Sequence, residues 1–329
     1  MSREVECWSA AGMGTTVLYR GLGKRKALLF DVGRFGAREQ LGGAASASHV
    51  FISHGHADHC AAAYLHARVR GMKQQKQSQP KSNSSQKQND SQISTINAIT
   101  TYYVPEAAVN DFTAAQEAMA RLDGGEGIDP NVLQIVGVHP GQEIDLGGDA
   151  SVVVCKTMHR VPSVGYAVKT KRKELRSELA NLSPEEKRKR FQKSPPMPED
   201  FVYRETIEFA YTGDTIIDAL DIPEALFLQA ATLCMELTFF DGDISFARER
   251  GHIHIEELAR FAKRGALDNC QALYLMHFSA RYKPQFIAET IIAYLPGHLL
   301  SIVKLCFDMN PETGEEIWRT ALAEKAKII

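Results

Sequence analysis

A six-residue stretch, 54–59, reads His-Gly-His-Ala-Asp-His and directly follows an apolar, strand-like run. Imidazole nitrogens and carboxylate oxygens are the ligands that suit zinc and its neighbours. If the strand continues into this motif, its period of two points His54 and His56 to one side. A helix that begins after them would turn Asp58 and His59 back over its start, so that the four side chains could hold two metal ions. The alternative is a polar loop with chance histidines, but three of the chain's eleven histidines lie in these six residues.

Three residues further along the chain occupy one common context, the carboxyl end of an apolar run. They are His159, Asp214 and His277. A lone histidine at a strand end is more often structural than functional. Together with the first motif, and in this order, the three are hard to explain as packing, so they are candidate metal ligands.

Strand-like runs recur before each of these candidates, and helical stretches follow them. Examples of helical stretches are 109–122, 255–264 and 284–293. This alternation predicts an α/β fold built from layers. A length of 329 residues allows one large domain or two small ones, and a hydrophobic fraction of 44% is enough for a sizeable core.

The composition agrees with an intracellular enzyme, cytoplasmic or nuclear. The longest apolar runs are too short for a transmembrane helix, and the first residues lack the basic-then-apolar pattern of a secretory signal. Six cysteines are scattered singly, without a Cys-x-x-Cys pair, which indicates reduced thiols. Cys60 adjoins the first motif, but its Ala-rich surroundings favour packing over metal binding.

Positive charge is concentrated between residues 169 and 193. The segment has ten basic and four acidic residues, a net charge of +6, which leaves −8 for the rest of a chain whose net charge is −2. Ser183 and Pro184 are typical of a helix start, so a short basic helix is expected after them. Such a run is usually a solvated helix surface, but lysine and arginine also bind RNA phosphates. A nuclear-localisation signal at 187–190 is a weaker interpretation.

Residues 71–97 have a different composition from the rest of the chain. Glutamine, lysine, serine and asparagine dominate, with almost no apolar residues. Such a segment buries too little surface to order itself, so it is predicted to be a disordered insertion.

Four further motifs accompany the first, and together the five motifs resemble those of a known enzyme family. The motif at 54–59 resembles the metal-binding signature of the metallo-β-lactamase superfamily. The others are similar to those of the tRNase Z family, the zinc endonucleases that trim the 3′ ends of precursor tRNAs, and most similar to its short, plant-type form. They read Pro-Ser-Val-Gly-Tyr at 162–166, Glu-Leu-Thr-Phe at 236–239, Gly-His-Ile-His at 251–254 and His-Phe-Ser-Ala-Arg-Tyr at 277–282. The resemblance covers nearly the whole chain apart from 71–97.

The resemblance implies an αββα sandwich, with the basic arm inserted between metal ligands and the metals at one edge between two sheets. All of residues 1–329 would belong to this hydrolase domain. Two zinc ions per subunit are implied, although Mn²⁺ or another divalent ion is possible. One zinc would be held by His54, His56 and His159, the other by Asp58, His59 and His277, and Asp214 would bridge them.

The resemblance also implies catalytic or supporting roles for Asp58 and for residues other than the metal ligands. Asp58 would also orient or deprotonate the attacking water. Glu236 and His252, outside the ligand set, would together protonate the departing 3′ oxygen, because a carboxylate raises the pKa of an adjacent imidazole. A surface carboxylate is the alternative for Glu236. Asp31 would orient a ligand, unless it only opens the turn before Gly33.

The resemblance also implies how the substrate is bound. Precursor tRNA would be gripped by the arm, 169–200, and contacted near the site by Ser279 and Arg281. His254 lies at a position where relatives often have threonine. Two roles remain open for His254: a hydrogen bond to the substrate, or packing. The family commonly works as a homodimer. The candidate RNA-binding residues of the arm are Lys171, Arg172, Lys173, Lys187, Arg188, Lys189 and Arg190.

Two departures from the family concern tRNA recognition. Many members have an N-terminal Pro-x-Lys-x-Arg-Asn loop, for which this chain offers only the basic residues 23–26, and the Gly/Pro tip of the bacterial arm is absent. Two other functions compete with tRNA processing: hydrolysis of a small ester or cyclic phosphodiester on the same metals, and non-catalytic RNA binding. A small ester would need neither the arm nor the Glu236–His252 pair, and a non-catalytic relative would be expected to have lost ligands.

Overall fold

The strand Leu28–Val32 shows how the sequence determines the layers, because all five of its side chains are buried. Leu28 and Phe30 pack between two sheets, whereas Leu29 packs against helices on the outer face. A strand buried on both faces needs cover on both sides. The computed structural model provides it as the expected αββα sandwich, with two facing sheets and helices outside each. The structure describes residues 5–22, 27–34, 43–78, 99–193, 195–307 and 311–326.

Within the described ranges, the first sheet has six strands that follow one another in chain order. The strands are β1 (Val5–Ala10), β2 (Gly14–Tyr19), β3 (Leu28–Val32), β4 (His49–Phe51), β5 (Thr100–Pro105) and β6 (Leu133–Val138). β1, β2 and β3 are antiparallel neighbours, and β3 to β6 are parallel.

The second sheet has seven strands in the described ranges, again in chain order. They are β7 (Glu143–Asp145), β8 (Ala150–Lys156), β9 (Val164–Leu175), β10 (Phe201–Tyr211), β11 (Thr232–Glu236), β12 (Ala272–Met276) and β13 (Val303–Leu305). β7 to β10 are antiparallel and β10 to β13 are parallel. β8, β10, β11 and β12 therefore all end at the same edge.

Helices cover the outer faces of both sheets. In the described residues the helices of the chain are α1 (Ala57–Cys60), α2 (Ala63–Ser78), α3 (Val109–Leu122), α4 (Ser177–Ala180), α5 (Pro184–Lys193), α6 (Ile244–Glu249), α7 (Ile255–Lys263), α8 (Pro284–Tyr294) and α9 (Pro311–Ala326). α2 and α3 pack on the first sheet, and α7, α8 and α9 pack on the second. The helices predicted at 109–122, 255–264 and 284–293 are confirmed. No helix in the described part of the chain is both long enough and apolar enough to cross a bilayer.

Helix α2 extends into the segment that the sequence predicts to be disordered. Residues 71–78 are its last two turns, because glutamine, lysine and methionine are good helix formers. The rest of the predicted insertion, 79–97, and the basic residues 23–26 lie outside the described residues.

Aromatic rings join the two sheets in the central core. Phe30 of β3 lies 5.1 Å from Phe209 and 5.6 Å from Tyr211 of β10, measured between ring centroids. It also lies 5.3 Å from Phe51 and 6.0 Å from Tyr166. Aromatic pairs at these separations stabilise a core beyond the area they bury. The core therefore fixes the ends of β3, β4 and β10 relative to one another.

The basic arm is the outer part of the β9–β10 hairpin, with α4 and α5 at its tip. The predicted helix start is confirmed: the Ser183 N–H and hydroxyl donate to Glu186 Oε2, and the Glu186 N–H donates to Ser183 Oγ. β9 begins at the edge where β10 ends and runs away from it. At about 3.3 Å per residue, Lys171 lies roughly 23 Å along the strand from Val164, its first residue.

Candidate metal centre

The predicted metal ligands meet at one edge of the sandwich, just beyond the ends of four strands. His54 follows β4, His159 follows β8, Asp214 follows β10 and His277 follows β12. The chain turns sharply after β4, so α1 carries Asp58 and His59 back to the same point. All seven candidate ligands are brought together.

The first group of donor atoms comprises three imidazole nitrogens. His56 Nδ1 lies 2.9 Å from His54 Nε2 and 3.3 Å from His159 Nε2. Asp214 Oδ2 lies 3.7 Å from His54 Nε2. Four ligands at about 2.0–2.2 Å around one zinc ion would stand roughly 3.3–3.6 Å apart. The four atoms therefore have the spacing of a tetrahedral metal site.

The second group shares the same Asp214 oxygen. His59 Nε2 lies 3.2 Å from His277 Nε2, and Asp58 Oδ2 lies 3.4 Å from His277 Nε2. Asp214 Oδ2 is 3.3 Å from His59 Nε2 and 3.4 Å from His277 Nε2. The other oxygen, Asp214 Oδ1, is buried and has no hydrogen-bond partner among the described residues. A buried carboxylate in this state is costly unless cations accompany it, so the donor set fits divalent metal ions.

Burial keeps three of the imidazoles in the form that binds metal. It lowers the pKa of His54 well below its usual value and also lowers the pKa of His56 and of His159. These histidines are therefore neutral at ordinary pH, with a ring nitrogen free to bind a metal ion.

His59 and Asp214 form a charged pair at the bottom of the site. Burial disfavours the His59 imidazolium, but the charges of Asp214 and Asp31 outweigh burial and raise the pKa of His59 well above its usual value. Burial also disfavours the charged form of Asp214, but His277 and His59 hold the pKa of this carboxyl well below its usual range. A metal ion would take the place of the His59 proton, so metal affinity should fall as the pH is lowered.

Asp31 orients two histidines from beneath the site. Its carboxylate accepts hydrogen bonds, each 2.6 Å long, from His59 Nδ1, the Tyr211 hydroxyl, and both the N–H and the hydroxyl of Ser53. Ser53 Oγ, 2.9 Å away, in turn accepts from His54 Nδ1. Since both Nδ1 atoms are donors here, the Nε2 atoms of His54 and His59 face the metal positions. Asp31 is the penultimate residue of β3 and has a φ of 53°. Because its carboxylate accepts these four hydrogen bonds, Asp31 does more than open the turn before Gly33.

Glu236 and His252 lie side by side next to the ligands. Glu236 Oε1 is 3.0 Å from His252 Nδ1 and accepts from the Thr215 N–H at 2.9 Å. Its Oε2 accepts from the Thr238 hydroxyl at 2.6 Å. Glu236 is fully buried, so the alternative of a surface carboxylate is wrong. Burial opposes charging of His252, but Glu236 outweighs it and raises the pKa of His252 to about 9.

Thr238 connects this pair to the metal ligands. The Thr238 hydroxyl donates to Glu236 and accepts from His277 Nδ1 at 3.0 Å, which leaves His277 Nε2 for the metal. His277 has a φ of 60°, a rare conformation for a residue with a side chain, and one that is often kept where function needs it. The sequence motif contains Thr238 without revealing this role, and Ser53 and Tyr211 carry no such signal.

Gly251 explains the glycine in the Gly-His motif. Its carbonyl accepts from His159 Nδ1 at 3.0 Å, and its φ is 78°. A Cβ atom there would lie 2.5 Å from His159 Nδ1. Only glycine therefore allows the backbone to approach and orient this imidazole.

The remaining residues of the motifs have structural contacts. His254 is buried and caps α7, where its Nδ1 accepts from the Glu256 N–H at 3.3 Å. This favours packing over a substrate hydrogen bond. Arg281 is ion-paired with Asp241, and Ser279 lies beside it in the same half-exposed loop. The Cys60 thiol points to the backbone carbonyl of His56, 3.3 Å away.

The arm residues divide into paired and unpaired groups. On the strands, Lys171 pairs with Glu205 at 3.2 Å and Arg172 with Glu208 at 3.2 Å. Lys173 lies 3.9 Å from the centre of the Phe201 ring. On the tip, Lys187 donates to a backbone carbonyl, and Arg190 lies 3.7 Å from Asp200. Arg188 and Lys189 of α5 are exposed and contact no acidic side chain among the described residues.

Gly251→Ala should displace His159 and reduce the amount of divalent metal bound per chain, as measured by elemental analysis. Gly242→Ala is the matched control, because Gly242 has a φ of 82° but no atom within 4 Å of its would-be Cβ. Both variants bear the same backbone strain. Equal metal content in the two variants would contradict the role given to Gly251.

Comparisons with known proteins agree with this site. No protein-family model matches the chain. It is 30% identical over 295 residues to tRNase Z TRZ1 of Arabidopsis thaliana, covering 89% of this chain and 91% of that protein. It is 28% identical over 267 residues to the chloroplastic tRNase Z TRZ2 of the same plant, covering 80% of this chain and 65% of that protein.

Two solved structures share the fold across almost their whole length. Human tRNase Z, short form, superimposes with a TM-score of 0.54 at 20% identity, covering 93% of this chain and 97% of that one. The metallo-β-lactamase fold protein YhfI from Bacillus subtilis gives a TM-score of 0.57 at 16% identity, with the same coverage. The extent and identity of the match to the Arabidopsis protein show that this chain belongs to the tRNase Z family, with the metallo-β-lactamase fold.

Proposed function

We propose that this protein is a zinc-dependent endoribonuclease that removes the 3′ trailer from precursor tRNA. The observation that carries the proposal is the shared position of Asp214 Oδ2 in two groups of metal-binding atoms, next to the buried Glu236–His252 pair. Membership in the tRNase Z family supplies the substrate class. The six thiols, none of them in a disulfide, support an intracellular location, cytoplasmic or nuclear.

Two zinc ions would occupy the two groups, although Mn²⁺ or another divalent ion could replace them. Bound ions would supply an activated water and neutralise charge that builds on the scissile phosphate. Asp58 is suited to orient that water. Burial opposes its ionisation, but a hydrogen bond from His277 outweighs burial and lowers the pKa of Asp58. The Gly12 N–H, 2.7 Å from Asp58 Oδ2, holds the carboxylate in place.

His252 would protonate the departing 3′ oxygen. Its Nδ1 is held by Glu236, so its Nε2 is the atom that can reach a substrate, and 12% of the side chain is exposed. A pKa of about 9 keeps the imidazole protonated at neutral pH. Two nearby cations would lower that pKa towards the working pH, which suits a general acid.

The arm would grip the tRNA at a distance from the cut. Its exposed residues Arg188 and Lys189 would contact phosphates, with the paired strand residues in supporting positions. Because the arm projects from the sheet edge opposite to the metals, we infer a homodimer in which each arm serves the partner's site. Ser279 and Arg281 would contact the substrate near the metals.

The direct test of this function is incubation of the purified protein with a 3′-extended tRNA. We expect one cut after the acceptor stem that leaves a 3′ hydroxyl, and complete inhibition by a chelator. Asp214→Ala should abolish cleavage without loss of tRNA binding, because it removes a ligand from both metal groups and leaves the arm intact. Hydrolysis of small esters or cyclic phosphodiesters without any cleavage of tRNA would instead support the small-molecule hydrolase.

His252→Ala should reduce the rate of tRNA cleavage by roughly 100-fold or more, the usual contribution of a general acid. The zinc content should stay at the wild-type value. His298→Ala, which removes an exposed histidine paired with Asp268, is the control and should leave the rate unchanged. Loss of zinc in the His252 variant would show that this residue is a ligand.

Arg188→Ala combined with Lys189→Ala should weaken tRNA binding and reduce the slope of log affinity against log salt by about one to two, the effect of losing two phosphate contacts. Hydrolysis of a small chromogenic phosphodiester should not change. Arg121→Ala with Arg319→Ala removes the same charge from α3 and α9 and serves as the control. An equal change in slope for both double variants would contradict an RNA-binding arm.

A further inference from the structure

Two phenylalanines and an arginine form a surface next to His252 that the reaction described above does not use. The Phe239 ring lies 5.9 Å from the His252 ring and 5.6 Å from the Phe246 ring, edge to face in both cases. The Arg250 guanidinium lies 5.0 Å from the centre of the Phe246 ring. Phe246 and Arg250 lie on α6 and immediately after it. We call these three residues, Phe239, Phe246 and Arg250, the aromatic platform.

The aromatic platform is open to solvent on its outer side. Phe246 is 42% exposed, although it is a large apolar residue. Arg250 is also exposed and contacts no acidic side chain in the part of the chain that the structure describes. The neighbouring Arg281, 5.3 Å from the Phe239 ring, is already ion-paired with Asp241. Arg250 therefore offers this surface a guanidinium that is not paired with an acidic side chain of the described residues.

An exposed ring beside an available guanidinium is suited to one nucleotide. Bases stack on aromatic rings, and each stacked base contributes about 1–3 kcal/mol of binding free energy whatever its identity. Arginine binds the adjoining phosphate and adds a cation–π contact. A purely apolar partner would leave the Arg250 charge unmatched.

The position of His252 determines which nucleotide the platform would meet. The His252 ring stacks on that of His277, with 5.3 Å between the ring centroids, and makes an edge contact with the Phe239 ring at 5.9 Å. His252 would protonate the departing oxygen, which belongs to the ribose on the 5′ side of the cut. The surface beyond His252 therefore adjoins that ribose and its base.

We propose that the aromatic platform binds the nucleotide on the 5′ side of the scissile phosphate. Its base stacks on Phe246, and Arg250 binds a neighbouring phosphate. This inference rests on the proposed tRNA-processing function and deepens it. The base of this nucleotide is free to stack in this way where at least one unpaired nucleotide separates the acceptor stem from the cut.

The test compares cleavage of two RNAs, one with an intact base and one with an abasic ribose at that nucleotide. For the intact RNA, Phe246→Ala should lower kcat/KM by roughly five- to hundredfold, the equivalent of one stacked base. For the abasic RNA, wild type and Phe246→Ala should be equally slow. Phe246→Trp should keep the preference for the intact base, and Arg250→Ala should slow both RNAs alike because the phosphate remains.

Tyr294→Ala is the control, because Tyr294 is an exposed aromatic residue, 38% accessible, at the far end of α8. Unchanged zinc content and unchanged turnover of a small phosphodiester would show that the Phe246 variants are folded. Equal losses on both RNAs in Phe246→Ala, or no loss on either, would overturn the platform while leaving the proposed function in place. A wild-type protein that cuts neither RNA would overturn both.

Discussion

The carboxylate of Asp214 lies buried between five imidazoles and a second aspartate, and the charge balance of the whole site is set by its contacts with them. One of its oxygens is within 3.7 Å of three imidazole nitrogens, and the other has no partner among the described residues. A carboxylate in this position is stable only with positive charge beside it. In the metal-free chain a proton on His59 partly supplies that charge, and two divalent ions would supply it fully. The position exists because four strands from two sheets end at one edge and are held in register by the Phe30 core.

Two more buried carboxylates, those of Asp31 and Glu236, orient the side chains of the site through hydrogen bonds. Asp31 orients His59 directly and His54 through Ser53, and it ties both to β10 through Tyr211. Glu236 orients His252 directly and His277 through Thr238. Each carboxylate thus acts on one residue by contact and on another through a hydroxyl. Since the same Glu236 supports a proposed metal ligand and the proposed proton donor, metal binding and proton transfer would share one hydrogen-bond network.

Much of this centre could be predicted from the sequence, because four candidate ligands follow apolar strands and parallel strands of one sheet end at one edge. The helices at 109–122, 255–264 and 284–293 were predicted as helical stretches that follow strand-like runs. The choice of Nδ1 on His56, the full burial of Glu236 and the role of Gly251 could not be predicted, because they depend on contacts between distant segments. The arm is the clearest case. The ten basic residues suggested an RNA-binding arm, but the returning strand carries Glu205 opposite Lys171, and its Glu208 pairs with Arg172. The composition of one segment does not show which of its positive charges are neutralised by acidic residues on the neighbouring strand.

Anomalous diffraction at the zinc edge, from crystals of the protein grown with zinc, tests the shared role of Asp214 most directly. Two peaks roughly 3.5–4 Å apart are expected, as in other two-metal sites. One peak should lie within about 2.2 Å of His54, His56 and His159 and the other within the same distance of Asp58, His59 and His277. The Asp214 carboxylate should contact both. A single peak, or two peaks of which Asp214 contacts neither, would show that Asp214 is not a ligand shared by two metal ions.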